Sequence, residues 1–124
     1  MADAAQDTLI LEQRIDRDTL RRLVLSGFED MVKFVADIKR GVVAIGGELH
    51  ADAEHVLLDA GSLQEDLWGA NYYPGRGRDR CLEYTSLINI SPSRGNRRME
   101  IGDPAVRERV RTLAWALICE GEDL

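Results

Sequence analysis

Long apolar runs, paired cysteines and a targeting leader are the features that this sequence lacks. Its two cysteines, Cys81 and Cys119, stand apart without CxxC spacing, so neither a disulfide framework nor a cysteine zinc site is expected. No apolar stretch approaches the roughly 18–20 residues of a membrane-spanning helix, and the first residues do not combine a basic start with an apolar run. These absences predict a cytoplasmic protein with no membrane contact.

The short motifs of several enzyme classes are absent as well. The sequence has no GxSxG nucleophile elbow, HExxH zinc motif, GxGxxG dinucleotide motif, P-loop or EF-hand loop. No reaction is therefore indicated, and whether the protein is an enzyme stays open at this point.

Length and composition indicate one globular domain with an uneven charge. The 124 residues are 44% apolar and 31% charged, which predicts a single domain over residues 1–124 with a frayed tail at residues 1–7. The formal net charge is −6, which opposes general binding to nucleic acid. Between Arg76 and Arg98, six arginines nevertheless stand against two acidic residues, a local charge of +4 within a remainder of −10.

Hydrophobic patterns predict the element order β-α-β-β-α-β-β-α. Residues 31–38 alternate apolar and polar side chains, and residues 42–45 form a β-branched apolar run, as in a strand pair. Asp16 and the Asp103-Pro104 pair are typical helix starts. The other predicted elements are strands at residues 8–15, 67–73 and 81–91, and helices at residues 16–26, 53–60 and 104–119. This order predicts an α+β two-layer sandwich, a mostly antiparallel sheet covered by helices.

The last predicted helix carries a tryptophan away from its apolar stripe. At 100° per residue, Trp115 lies about 180° from Val106. This position predicts a second contact for Trp115, either with an overlying loop or with another subunit of a homodimer.

Four stretches carry a resemblance to a known family. They are FEDMVKFVADI at 28–38, GGELHADAEHVLLDAGSLQEDLWGANYYP at 46–74, INISPSRGN at 88–96 and DPAVRERV at 103–110. In these stretches the chain resembles a family of small prokaryotic proteins catalogued only as a domain of unknown function. The resemblance covers nearly all of the chain after residue 8. It implies membership of that family and carries no activity over to any residue.

The segment ELHAD at 48–52 is the first candidate site. In an extended chain, Glu48, His50 and Asp52 leave the same face about 6.5–7 Å apart. An imidazole with two carboxylates can hold a divalent metal, or a carboxylate can orient the histidine as a general base. The competing interpretation is structural: Asp52 caps a following helix, and Glu48 and His50 are solvated at a strand end.

The segment GSLQEDLWGAN at 61–71 is the second candidate. Trp68 would form a stacking floor for a planar ligand, with Gln64 or Asn71 reading the edge of that ligand. Large aromatic side chains are more often core, so the favoured interpretation has Trp68 in the core and Asp66 capping a turn.

The segment SPSRGNRR at 91–98 is the third candidate. Arg94, Arg97 and Arg98 supply fixed positive charge with forked donors, and Gly95 permits a tight turn. These features predict a phosphate or carboxylate site, and the alternative is a solvated basic turn.

We expect the polar groups of the two hairpins to converge where ELHAD leaves its strand. The leading hypothesis is binding of a small polar or anionic ligand, with a divalent metal at Glu48, His50 and Asp52 if one is used. A non-enzymatic protein-protein interaction or regulatory module, assembling through Trp115 and exposed sheet edges, is the alternative. Nucleic-acid binding is third. The predicted polar site comprises Glu48, His50, Asp52, Gln64, Asp66, Asn71 and Asn89, and the predicted anion contacts are Arg94, Arg97 and Arg98.

Overall fold

The computed structural model describes residues 8–124, which form a five-stranded sheet flanked by three α-helices. All neighbouring strands are antiparallel, in the order β1-β3-β2-β4-β5. The strands are β1 (Leu9–Leu11), β2 (Val32–Asp37), β3 (Val42–Ile45), β4 (Leu67–Tyr72) and β5 (Leu82–Glu83). The helices are α1 (Arg17–Ser26), α2 (His50–Asp59) and α3 (Pro104–Leu117), and short 3₁₀ turns cover Gln64–Asp66, Leu87–Asn89 and Pro92–Arg94. Residues 1–7, for which a frayed tail is predicted, lie outside the described residues.

The predicted α+β class and element order are confirmed, including the antiparallel sheet and its covering helices. Alternation along β2 explains the arrangement, since Val32, Phe34 and Ala36 enter the larger core with residues of α1 and α3. Val35 points the other way, into a smaller core with Ala53 and other residues beneath α2. Both faces of β2 are therefore covered, the larger helical layer being α1 with α3.

The predicted helix starts are confirmed by their hydrogen bonds. Asp16 accepts from the Thr19 amide at 2.9 Å, and Asp103 accepts from the Ala105 amide at 2.9 Å. Each carboxylate thereby satisfies one of the amides that an α-helix leaves without an internal partner.

The second predicted hairpin is only partly formed. The strand expected at residues 81–91 is limited to Leu82–Glu83, and a 3₁₀ turn follows at Leu87–Asn89. The Ser86 hydroxyl accepts from the Ile88 amide at 3.3 Å, a local bond that competes with strand pairing. The alternation of apolar side chains in this stretch predicts a strand, but side-chain hydrogen bonds hold the chain in a turn instead.

None of the helices within residues 8–124 combines the length and the apolar content needed to cross a membrane.

Candidate functional site

A cleft of about 510 Å³ opens between the loop from α1 to β2 and the loop from β3 to α2. Its walls include the apolar side chains of Leu23, Phe28, Met31 and Leu49. Small-molecule sites typically measure about 300–1,000 Å³ and are lined mostly by apolar groups. The cleft therefore has the size and lining of a small-ligand site.

Two glycines shape one side of the cleft. Gly46 and Gly47 have φ angles of 106° and 88°, a backbone conformation that residues other than glycine rarely adopt. A Cβ on Gly47 would lie 3.2 Å from the Thr8 hydroxyl and 3.3 Å from the Asp52 Cβ. The chain can thus turn sharply after β3, which brings Glu48 and Leu49 to the cleft wall.

Two opposite charges line this cleft without pairing. Lys33 is half-buried on β2, and its ammonium lies 5.0 Å from the centre of the Phe28 ring. Glu48 is exposed and comes from the loop after β3. Within residues 8–124, neither side chain has an oppositely charged partner within 4.0 Å. The cleft thus offers one cation and one anion to whatever enters it.

The extended geometry predicted for ELHAD is wrong, because α2 begins at His50. The predicted helix start at residue 53 is three residues late, so Asp52 lies in the first turn rather than at the cap, and its carboxylate accepts from the Leu49 amide at 3.0 Å. Glu48 faces the cleft, whereas His50 is only 8% exposed. Helix formation therefore removes the common face that an extended chain would give these three side chains.

The predicted metal ligands do not form a metal centre in the part of the chain that the structure describes. Among residues 8–124, no three His, Cys, Asp or Glu side chains are grouped so that they could hold an ion. The Asp52 carboxylate is committed to the helix start and the His50 Nε2 to a backbone carbonyl. The geometry gives the metal prediction no support.

His50 is a buried, neutral histidine over β4. Its Nε2 lies 2.8 Å from the Ala70 carbonyl oxygen, which can only accept, so this nitrogen carries the proton. Burial lowers the pKa of His50 from its usual value, and the Lys33 charge lowers it further, against the opposing effect of the Ala70 carbonyl. The ring is therefore held as a neutral hydrogen-bond donor.

Asn71 stands in a polar row that crosses three strands. It pairs in register with Lys33 of β2 and Glu83 of β5, and its amide donates to Glu83 Oε1 at 2.8 Å. Asn71 is 7% exposed, and its side chain interacts with His50, where it opposes the lowering of the histidine pKa by burial.

Asn89 lies in the 3₁₀ turn Leu87–Asn89, beside Gly69 of β4, and is fully buried. Its Oδ1 accepts from the Gly69 amide at 2.8 Å, and its Nδ2 donates to the Gly69 carbonyl at 2.9 Å. His50 and Asn89 bond to the backbone of β4, which also carries Asn71, while the predicted convergence of the polar groups into one pocket where ELHAD leaves its strand stays a prediction. Their hydrogen bonds go to protein groups, and none of the three lines the cleft.

Gln64 and Asp66 belong to the opposite end of β4 from Asn71. They form the 3₁₀ turn that precedes the strand, which rises about 3.3 Å per residue from there to Asn71. Trp68 is in the larger core, as the favoured interpretation of that segment predicts.

Arg94 is a structural residue of the basic loop. Its guanidinium lies 3.7 Å from the centre of the Trp68 ring and donates to the carbonyls of Leu67 at 2.8 Å and Glu65 at 3.2 Å. Both bonds come from Nη1, and Nη2 donates to the Ile88 carbonyl at 3.4 Å, so three of the five guanidinium N–H donors have protein partners. Arg97 and Arg98 are exposed, and anion binding by them stays a prediction.

Trp115 contacts an overlying loop, which is one of the two contacts predicted for it. The Arg78 guanidinium from that loop lies 4.2 Å from the centre of its ring, and Arg111 of α3 lies at 5.4 Å. Two cations therefore flank the ring, where an apolar interface would need open surface.

The cleft residues Phe28, Lys33 and Leu49 were not predicted as a site. Lys33 was placed on the polar side of a strand, and Phe28 and Leu49 are single apolar residues in loops. The one local signal was the Gly46-Gly47 pair, which marks a sharp bend next to Glu48.

The family described as "Protein of unknown function (DUF5674)" matches the chain over residues 9–117. No curated protein and no solved structure matches it.

Proposed function

This chain belongs to the family described as "Protein of unknown function (DUF5674)", and we propose that it binds a small ligand with a charged group and an apolar body in the cleft beside Lys33 and Glu48. The observation that carries the proposal is the unpaired Lys33 ammonium in a cleft whose other walls are largely apolar. A ligand carboxylate or phosphate at Lys33 would give this charge a partner. Its apolar part would cover side chains that are open in the free protein, such as Leu49, which is 59% exposed.

The contribution of each group follows from its surroundings. Lys33 would donate to the charged group, and Phe28, which already lies beneath the ammonium, would hold the lysine over the cleft. The bend at Gly46 is fixed by its amide, which donates to the Lys33 carbonyl at 2.9 Å. The two sides of the cleft are therefore joined by backbone and largely formed in advance, which reduces the entropy lost on binding.

The test is thermal unfolding with hexanoate, a small carboxylate with an apolar tail, against equal concentrations of chloride. A ligand at 100 times its Kd stabilises the native state by about 2.7 kcal/mol, which raises the Tm of a domain of this size by roughly 8–15 °C. We expect hexanoate to raise the Tm and the Lys33→Met variant to lose this response. The control is Lys39→Met, since Lys39 is exposed in the turn after β2, and its response should match the parent protein. No shift with hexanoate in any protein would contradict the proposal.

The interaction module is the second prediction for this chain. The cations around Trp115 disfavour an apolar interface there. Pairing through a sheet edge, and a homodimer built that way, stay predictions that sedimentation of the parent protein would check.

A further inference from the structure

The proposed ligand class becomes narrower when both charges of the cleft are considered together. We infer that the cleft selects a zwitterion with an apolar side chain, that is, an apolar α-amino acid such as leucine. This inference rests on the proposed function, because it assumes that the cleft is the ligand site.

The first step concerns the two charges themselves. Lys33 and Glu48 belong to adjoining elements, joined where the Gly46 amide donates to the Lys33 carbonyl. They line one cleft, yet among the described residues no salt bridge satisfies either of them. Charges next to apolar walls gain more from a partner than charges in open water, because the local dielectric constant is lower. Two such charges of opposite sign in one cleft match a ligand that carries both signs.

The second step concerns ligands with a single charge, which should bind more weakly than a zwitterion. A simple carboxylate at Lys33 would bring a second anion close to Glu48, and a simple amine at Glu48 would approach Lys33. Like charges that share one cleft repel, and the unused protein charge would lose hydration without gaining a partner. An α-amino acid supplies a partner to both protein charges, since its carboxylate and ammonium are attached to one carbon.

The third step concerns the rest of the ligand. Apart from the two charges, the walls are supplied mainly by the apolar side chains of Leu23, Phe28, Met31 and Leu49. A branched or aromatic side chain would be buried against these groups, whereas a polar side chain would lose hydrogen bonds to water. The cleft should therefore prefer leucine to serine.

The experiment is isothermal titration of the purified chain with leucine, N-acetyl-leucine, leucinamide and serine. N-acetyl-leucine keeps the carboxylate and lacks the ammonium, and leucinamide keeps the ammonium and lacks the carboxylate. We expect leucine to bind at least about tenfold more tightly than N-acetyl-leucine and leucinamide, since one lost charge contact corresponds to about a factor of ten or more. Serine keeps both charges and should bind more weakly than leucine because it lacks the apolar side chain.

Two variants assign the charges. Glu48→Gln should reduce leucine affinity and bring it close to that of N-acetyl-leucine, because the ammonium loses its partner. Lys33→Met should reduce the affinity for leucine to about that for leucinamide, because the carboxylate loses its partner. Lys39→Met and Glu12→Gln remove exposed charges outside the cleft and should leave all four affinities unchanged. Unfolding curves of each variant confirm that it is folded.

The outcomes separate this inference from the proposed function. If N-acetyl-leucine or hexanoate binds as tightly as leucine, the cleft takes a single charge, so the zwitterion inference fails and the proposed function stands. If neither leucine nor hexanoate binds, both fail. If leucine binds and Glu48→Gln has no effect, the assignment of the ammonium to Glu48 is overturned.

Discussion

Asn89 bonds to both sides of one peptide residue, Gly69, with its Oδ1 accepting from the Gly69 amide at 2.8 Å and its Nδ2 donating to the Gly69 carbonyl at 2.9 Å. β5 pairs with β4 only at Asn71 and Tyr72, so the edge of β4 beside Gly69 has no strand neighbour there. The asparagine amide supplies the donor and acceptor that a strand would have supplied. The Asn89 side chain thereby takes the place of a paired strand beside Gly69. The chain after β5 can therefore form a turn instead of continuing as a strand.

Replacing Asn89 by alanine should destabilise the protein by about 2–4 kcal/mol. The variant leaves the amide and carbonyl of Gly69 buried without partners, and each such group costs about 1–3 kcal/mol. It also removes the 3.0 Å bond from Nδ2 to the Met99 carbonyl. Urea unfolding measures the difference, and Gln64→Ala, at an exposed position, should stay within about 0.5 kcal/mol of the parent. A loss below about 1 kcal/mol for Asn89→Ala would show that the amide is replaceable.

The buried His50 predicts how stability depends on pH. Its pKa in the folded state is lowered, chiefly by burial, so between the folded and unfolded pKa values the unfolded chain binds more protons. The contribution of neutral His50 is therefore fully present above pH of about 6.5, the pKa of an unfolded histidine. It is lost progressively as the pH falls below that value toward the folded pKa.

The matched variants for this prediction are His50→Gln and His55→Gln. A glutamine at position 50 can still donate to the Ala70 carbonyl and does not titrate, whereas His55 is exposed on the far side of α2 from the sheet core. Urea unfolding between pH 8 and pH 5 should show a smaller loss of stability on acidification for His50→Gln than for the parent, with His55→Gln following the parent. Equal losses for the parent and His50→Gln would mean that His50 does not contribute to acid sensitivity.

Arg94 should behave as a stabilising residue rather than as an anion contact. Arg94→Ala removes the stacking on Trp68 and the bonds to the carbonyls of Leu67 and Glu65. We expect a loss of about 2–3 kcal/mol on this basis. Arg97→Ala and Arg98→Ala, at exposed positions, should change stability by less than about 0.5 kcal/mol. Phosphate titration of the same variants is the control, and selective loss of phosphate binding in Arg94→Ala with unchanged stability would contradict this account.

The main elements of the fold follow from local patterns in the sequence. Alternation in residues 31–38, the β-branched run at 42–45 and the Asp103-Pro104 helix start each depend on near neighbours, and each agrees with the structure. Residues 84–91 differ because Asn89 and Ser86 form bonds that no local pattern indicates, one of them to Gly69, twenty residues away. A long-range hydrogen bond of this kind can outweigh an alternating pattern.

The candidate site, like the fold, follows only in part from local patterns in the sequence. ELHAD adjoins the cleft, but the helix start at His50 changes which of its side chains face the cleft. Only Glu48 of the three lines the cleft, and Lys33, the opposite charge in its lining, comes from a strand fifteen residues earlier. The sequence alone could not reveal that pair, because it depends on how β2 and β3 are paired and on the bend at Gly46-Gly47.

The most direct test of the central claim is to locate the binding site by amide chemical shifts, adding leucine to the isotopically labelled protein. The account predicts that the shifts which move with leucine cluster at Phe28, Lys33, Gly46, Gly47 and Leu49, and that Lys33→Met greatly reduces them. Shifts that cluster around Trp115 or Arg97 and Arg98 instead, or none with either saturating leucine or saturating hexanoate, would contradict the claim that this cleft is a ligand site.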